Sequence, residues 1–404
     1  MLGLLCLLLL ITYLDRVCIS VAGPRIQDAL HIGPFQWGWV IGAFTISYAV
    51  FEIPTGALGD RIGPRKVLTR IVLWWSVFTS VTGLVMGFYP LLLTRFLFGA
   101  GEAGAFPNAS VAVSRWFPMR ERGRAMGVML MASQLGGAAA PLLVVPIQMH
   151  YGWRASFYVF GLVGVAWSAV WWWWFRDSPR EKKGVTEAEI EETAGLVTGA
   201  RHGLPWKIAL RSMNFWAVVT VAFCYVYTFN FFQSWFHTYL VRAQAYSEDD
   251  LLMSCLPFLV AAAANLSGGL VSQSLVRRYG LKWGRRAIGL AGMAVAAPCL
   301  VAVMFVHQWL WALLLLSVAY GGITFQQPIV FAACLDIGGE YAGEVVGAMN
   351  TSAQVGSLTS SLAFGYLVSR FGNYSLPFIP MAALSVLGFF LWLKVDASEA
   401  LIAA

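Results

Sequence analysis

The sequence predicts an all-α integral membrane protein, and three observations lead there. Of its 404 residues, 59% are hydrophobic and 12% charged, with a mean hydropathy of +0.68; soluble domains carry about 25% charged residues. Apolar runs recur along the whole chain, each near the roughly 20 residues that a helix needs to cross a hydrocarbon core. Between these runs, Lys and Arg crowd into every second loop, the asymmetry that orients membrane helices.

The first run opens LGLLCLLLL and has the length of a signal-peptide core. No basic residue precedes it, no small-residue cleavage motif follows, and Asp15 and Arg16 interrupt it. It reads as a first span starting almost at Met1. Charged or Pro/Gly-rich joints then delimit twelve spans: 2–24, 36–58, 68–88, 90–113, 124–147, 153–175, 213–240, 250–275, 286–306, 308–334, 345–369 and 375–393.

Placing both termini on one side puts twenty-one Lys and Arg residues there and four opposite, namely Arg25, Arg154, Arg242 and Arg370. That excess predicts cytoplasmic termini. The organisation follows: a six-helix half over 1–176, a polar linker over 177–212, a second six-helix half over 213–394 and a cytoplasmic tail over 395–404. The linker, with "RDSPREKKGVTEAEIEETAG", is long enough for an amphipathic surface helix. Basic cytoplasmic loops explain the net charge of +7 without nucleic acid.

The six cysteines lie in apolar segments without metal-ligand spacing, and the five histidines are scattered. No phosphate-binding loop, nucleophile elbow or paired-ligand motif is present, so no cofactor or metal is expected and an enzyme is disfavoured.

The halves repeat. Gly127, Gln134, Gly136 and Gly152 match Gly347, Gln354, Gly356 and Gly372 at a constant offset of 220 residues. The loops after spans 2 and 8, "GDRIGPRK" and "RRYGLKWGRR", also correspond. Parallel six-span repeats characterise one large class of secondary transporters.

On these motifs the chain resembles the major facilitator superfamily. "GALGDRIGPRK" is similar to the superfamily's loop signature between spans 2 and 3, and supplies Gly56, Gly59, Asp60, Arg61, Gly63, Arg65 and Lys66. The glycines would permit close helix approach, and Asp60 would hold basic partners in one conformational state. "YLDRVCISVAGPRI" and "RFLFGAGEAGAFPNASVAVSRWFPMRERGRAMG" resemble the anion:cation symporter branch, and "FRDSPREKKGVTEAEI" its bacterial sugar-acid members. The acidic loop "DIGGEYAGE" departs from the pattern, since a basic loop is expected there. The resemblance implies secondary active transport by alternating access across a bacterial inner membrane, with an organic anion, protons and lipid as partners and a monomer as the working form. It also implies that Asp15 and Glu102 are proton-coupling carboxylates and that Arg16 and Arg95 are the motif arginines.

The residues themselves support that chemistry. An intramembrane charge costs about 3 kcal/mol or more, so such residues normally face a cavity and serve function. Arg95 and Glu102, seven residues apart, share a helix face; Asp15 and Arg16 diverge by about 100°. Guanidinium groups grip carboxylates bidentately, and a protonatable partner releases them. This predicts proton-coupled uptake of an organic anion, for which the resemblance implies symport of a sugar acid such as a hexonate, hexuronate or aldarate. Tyr13, Tyr48, Gln134 and Asn350 are candidates for hydrogen bonds to its hydroxyls. Glu52, before Pro54, reads as structural, His237 as an exposed interfacial residue, and Trp171–Trp174 as an aromatic girdle. The alternatives are an antiporter or exporter of organic anions or drugs on the same fold and, further off, a polytopic enzyme.

Overall fold

Helix breaks, more than helix formation, set this architecture, because nearly every apolar run is long enough to be helical. In the computed structural model, residues 1–117, 119–178, 181, 206–247, 250–306, 308–399 and 401 are described. The amphipathic stretch expected in the linker, His202, His307 and the side chains of Asp60, Arg120, Arg122 and Arg124 lie outside the described residues.

The N-terminal helices are α1 (Leu2–Val21), α2 (Gly23–Leu30), α3 (Pro34–Ile62), α4 (Pro64–Thr82), α5 (Phe88–Glu102), α6 (Ala105–Trp116), α7 (Met119–Tyr151) and α8 (Trp153–Trp174). After a short helix α9 (Trp206–Ala209) come α10 (Met213–Ser234), α11 (Phe236–Ala243), α12 (Leu256–Val303), α13 (Trp309–Phe325), α14 (Gln327–Gly338), α15 (Ala342–Phe371) and α16 (Phe378–Trp392). No strand occurs among the described residues. Two units emerge: Met1–Ile32 with Trp39–Gly199, and Gly33–Gly38 with Ala200–Ala404.

Each unit builds its core the same way. In the first, α1 packs on α7, and α4 packs on α5 and α8. In the second, α10 packs on α15, and α12 on α13 and α16. The repeat glycines explain the correspondence. A Cβ on Gly136 would strike the carbonyl of Leu10, and one on Gly356 the carbonyl of Phe223 at 2.7 Å. Helices therefore meet backbone to backbone at matching points of α7 and α15, as small residues permit.

The structure corrects three span assignments. The fourth predicted span, 90–113, is two helices, α5 and α6, because Gly104 adopts φ +86. Thr55 Oγ1 caps that break by donating to the carbonyl of Ala103 at 2.8 Å. The seventh predicted span breaks at Trp235 and the tenth at Gln326. Predicted spans 8 and 9 lie on the two arms of α12, which breaks at Gly280, where φ is 78 and ψ 170.

Among the described residues, six helical stretches are long and apolar enough to cross a membrane by length and composition: Leu2–Val21, Ala125–Tyr151, Trp153–Trp174, Met213–Ser234, Asp250–Val303 and Trp309–Gly338. Other predicted runs lie on helices that stop short, such as α5 and the 15-residue α16.

Candidate functional site

The first unit holds a buried charge cluster. α1 contributes Asp15 and Arg16, α3 contributes Phe44, Tyr48 and Glu52, and α5 contributes Arg95, Phe98 and Glu102. Gly99 lets α5 close on α3: a Cβ there would meet the carbonyl of Phe44 at 2.5 Å. That contact helps set both arginines against one ring, Phe44.

Arg16 Nε donates to Glu102 Oε1 at 2.5 Å, and its Nη2 pairs with the same oxygen. The Arg16 guanidinium stands 5.3 Å from the Tyr13 ring, 5.2 Å from Phe44 and 4.9 Å from Tyr48. The Arg95 guanidinium faces Phe44 at 5.1 Å and Phe98 at 4.5 Å. These are cation–π distances, which hold a guanidinium without consuming its hydrogen-bond donors.

What is unpaired matters more. Asp15 is 3% exposed, and among the described residues neither of its carboxylate oxygens has a hydrogen-bond partner. Arg95 is equally buried, with its Nε unpartnered. Glu102 is fully buried, and its Oε2 is free of hydrogen bonds. Buried polar atoms are ordinarily satisfied. Three charged side chains with open capacity in one cluster mark a place built to bind or to change protonation.

Among the predicted site residues, Asp15, Arg16, Arg95, Glu102, Tyr13 and Tyr48 are brought together. The ion pair joins Arg16 to Glu102, across 86 residues, rather than Arg95 to Glu102 on their shared helix face. Gln134 is buried on α7, the helix that packs on α1. Asn350 is half-buried on α15, in the second unit.

Sequence reasoning missed Phe44, the ring both arginines share, and undervalued Glu52. Glu52 is half-buried and lies within electrostatic reach of Arg16 and Tyr48. The available signal was spacing: Phe44, Tyr48 and Glu52 follow one another at i, i+4 and i+8, a single face of α3. The prediction for His237 also fails. It is fully buried, with Nε2 3.0 Å from Ser254 Oγ. The tryptophan run divides: Trp171 is fully buried and stacks on Phe175, Trp172 lies under Arg65 at 4.4 Å, and Trp173 is exposed.

The loop motif has a distinct geometry. A Cβ on Gly56 would lie 3.3 Å from Pro107, and one on Gly59 would strike the Asn108 amide, whose Nδ2 donates to the carbonyls of Thr55 and Gly104. Gly63, at φ +87, faces Asp177, and the Arg65 amide donates to Asp177 Oδ1 at 2.8 Å. Arg115 lies 4.0 Å from the same oxygen and donates to the carbonyl of Gly59. Arg61 and Lys66 are exposed. Among the described residues this basic loop meets an acidic partner in Asp177, a residue that the sequence suggested only as the linker's first. In the second unit Asp336, from the unexpectedly acidic loop, accepts from Arg285 Nε at 2.9 Å.

Comparison with known proteins now has a geometry to meet. Residues 5–361 match the Major Facilitator Superfamily. The chain belongs to that superfamily. A protein named "Probable sulfoacetate transporter SauU" from Cupriavidus necator is 35% identical over 96% of this chain and 91% of its own length. The hexuronate transporter of Bacillus subtilis is 27% identical over 93% and 89%, and the D-galactonate transporter of Escherichia coli 28% over 94% and 90%. A crystal structure of a bacterial homologue of the human lysosomal transporter Spinster superposes with a TM-score of 0.79 at 18% identity, covering 97% of this chain and 95% of that one. This superfamily member is therefore a multi-pass membrane transporter with an all-helical fold, not an enzyme. Its relatives bear out the resemblance to the anion:cation symporter type.

Proposed function

We propose that the protein is a secondary active transporter of a small organic anion, coupled to protons and working by alternating access. In this reading twelve helices span a bacterial inner membrane, both termini are cytoplasmic, residues 177–212 link two six-helix halves, and the monomer is the working unit. A sugar acid such as a hexonate, hexuronate or aldarate belongs to the substrate class that the relatives' names suggest.

The observation that carries the proposal is the Arg16–Glu102 pair beside an Asp15 carboxylate and an Arg95 Nε that have no hydrogen-bond partner among the described residues. A buried carboxylate without hydrogen bonds is costly as an anion and tolerable as a neutral acid. Protonating Glu102 weakens its hold on Arg16, and both guanidinium groups can then turn to a substrate anion. Deprotonation restores the internal pair and expels the anion. Proton and substrate are thereby linked, because each changes the other's affinity by the same factor.

The test is uptake of labelled organic acids into proteoliposomes under an imposed inward proton gradient. Accumulation is expected for wild type. Arg95→Ala should abolish it; Asp15→Asn and Glu102→Gln should lose gradient-driven accumulation yet retain counterflow exchange. Uptake indifferent to the gradient and to both carboxyl substitutions would make the cluster a packing device.

A further inference from the structure

One carboxylate beside the cluster has no task in that cycle. Glu52 continues the face of α3 on which Phe44 and Tyr48 meet the Arg16 guanidinium, at 5.2 and 4.9 Å from their ring centres, and it lies within electrostatic reach of Arg16. Its backbone is tied to that of Glu102. Glu52 stands two residues before Pro54 in α3, and Glu102 two before the break at Gly104. Thr55 Oγ1 lies 2.8 Å from the carbonyl of Ala103 and 3.3 Å from that of Glu52, so one hydroxyl holds the two points together. Two acids rooted at neighbouring points of α3 and α5 therefore share one arginine.

Arg16 has the capacity to serve both. Its Nε and Nη2 are spent on a single oxygen of Glu102, and a guanidinium carries five N–H donors. The Arg16 side chain is 22% exposed against 1% for Glu102, so it borders open space that Glu102 does not reach. Among the described residues the half-buried Glu52 carboxylate makes no hydrogen bond or ion pair. The charged and titratable groups facing it are Arg16 from α1 and Tyr48 on its own helix. Tyr13 from α1 and Glu102 from α5 meet the same guanidinium. Once Glu102 is neutral, Glu52 is the carboxylate left to Arg16. An anion arriving at Arg16 then meets a like charge, and like charges side by side oppose binding.

Resting on the reading of the cluster given above, we infer that Glu52 is a positioning residue for Arg16: it holds the guanidinium when Glu102 is neutral and no anion is bound, and takes it back as the anion leaves. The anion must displace Glu52 to enter. This competition lowers affinity and speeds release, so the carrier is not trapped with its cargo. Protonating Glu52 removes the competitor, and a bound anion favours that proton by the same factor.

The experiment uses the full chain, with sulfoacetate, gluconate and glucuronate as probes. Binding is followed by tryptophan fluorescence and uptake in proteoliposomes. For an acid that wild type binds, Glu52→Gln should bind at least tenfold tighter at pH 8. The advantage should shrink toward pH 4.5, near the ordinary glutamate value of about 4.3, because wild-type Glu52 then takes a proton. Uptake by Glu52→Gln should show a lower KM together with a lower maximal rate. Glu52→Met, of similar length and uncharged, should behave alike, so either variant suffices if the other fails to fold. In an Arg16→Gln background, Glu52→Gln should change affinity less than twofold. Unchanged or weaker binding in Glu52→Gln, an equal gain at pH 8 and pH 4.5, or a full gain without Arg16 overturns the role of Glu52. Anion transport still stands in those cases if Asp15→Asn and Glu102→Gln lose gradient-driven accumulation. Failure of every acid to bind wild type and Glu52→Gln overturns both.

Discussion

The two units share one framework and fill it differently. In the first, the helices that meet at Gly136 and Gly99 bury Asp15, Arg95 and Glu102 and half-bury Arg16. In the second, α10 meets α15 at Gly356, and among the described residues the polar groups fully buried within its helices are neutral. Asn230 Nδ2 donates to Ser361 Oγ at 2.9 Å, Ser357 donates to Asn230 Oδ1 at 2.8 Å, and Gln233 donates to the Tyr320 hydroxyl at 2.9 Å. Taking the paired contacts as the alignment, Leu10 corresponds to Phe223, which puts Thr228 and Phe229 where the first unit has Asp15 and Arg16. The backbone contacts therefore belong to the repeat, while the charges belong to one copy. A neutral, hydrogen-bonded interior keeps one state across the physiological pH range; an interior of unpaired acids and arginines does not.

The sharpest way to break the comparison is to remove a charge from the first unit. Arg16→Ala leaves Glu102 buried and alone, and breaking a buried pair from one side costs about 3–5 kcal/mol. The variant should melt well below wild type in detergent and show no uptake, while Glu102→Gln in the same background should restore much of the lost stability. Failure of that rescue would mean the pair is not energetically coupled.

The shared framework predicts the next effect. Gly136→Leu and Gly356→Leu each force a side chain against a facing carbonyl, and overpacking of this kind costs about 1–3 kcal/mol. Comparable losses of thermal stability from both are expected. A loss confined to one would show that the two contacts are not equivalent.

A smaller effect distinguishes the neutral interior. Asn230→Ala strips partners from Ser357 and Ser361, for about 1–3 kcal/mol. It should lower the melting temperature without moving the pH dependence of uptake, whereas Asp15→Asn should flatten that dependence. An altered pH profile in Asn230→Ala would place the second unit in the proton cycle.

How much of this the sequence could show follows from the range of each signal. Spanning runs and the glycine repeat are visible because apolarity and a 220-residue offset are patterns along the chain. Gly152 and Gly372, matched by that offset, do end their helices with positive φ, at +81 and +66. The breaks at Gly104 and Gln326 were hidden, since one glycine among 40 and one glutamine carry no mark of backbone conformation. The charged residues were legible because each is conspicuous in an apolar run. Their pairing was not: periodicity fixes a face of each helix but not which helix that face meets, so Arg16 with Glu102 and Arg285 with Asp336 needed coordinates. His237 was misread because its place near a span end suggested exposure, whereas the break at Trp235 starts a separate short helix that buries it.

The smallest predicted effect lies at the tail of the second unit and tests whether its charges act only outside the helix interior. Asp396 accepts from Lys282 Nζ and from the Ser398 hydroxyl, each at 2.5 Å, and from the Ser398 amide at 3.1 Å; its own amide donates to Asn214. Burial pushes this carboxyl up, but the hydrogen bonds from Lys282 and Ser398 outweigh it and hold the group below the usual carboxylate range. A carboxyl depressed by folding contributes stability above its unfolded value, near about 4, and loses that contribution as pH falls through the folded value. The difference in melting temperature between wild type and Asp396→Asn should therefore be constant from pH 7 to about 5 and shrink below about 4. Uptake at neutral pH should keep its proton dependence in the variant. A pH profile of uptake that follows Asp396 instead would move the proton chemistry out of the first unit, and the contrast between a charged and a neutral interior would no longer explain it.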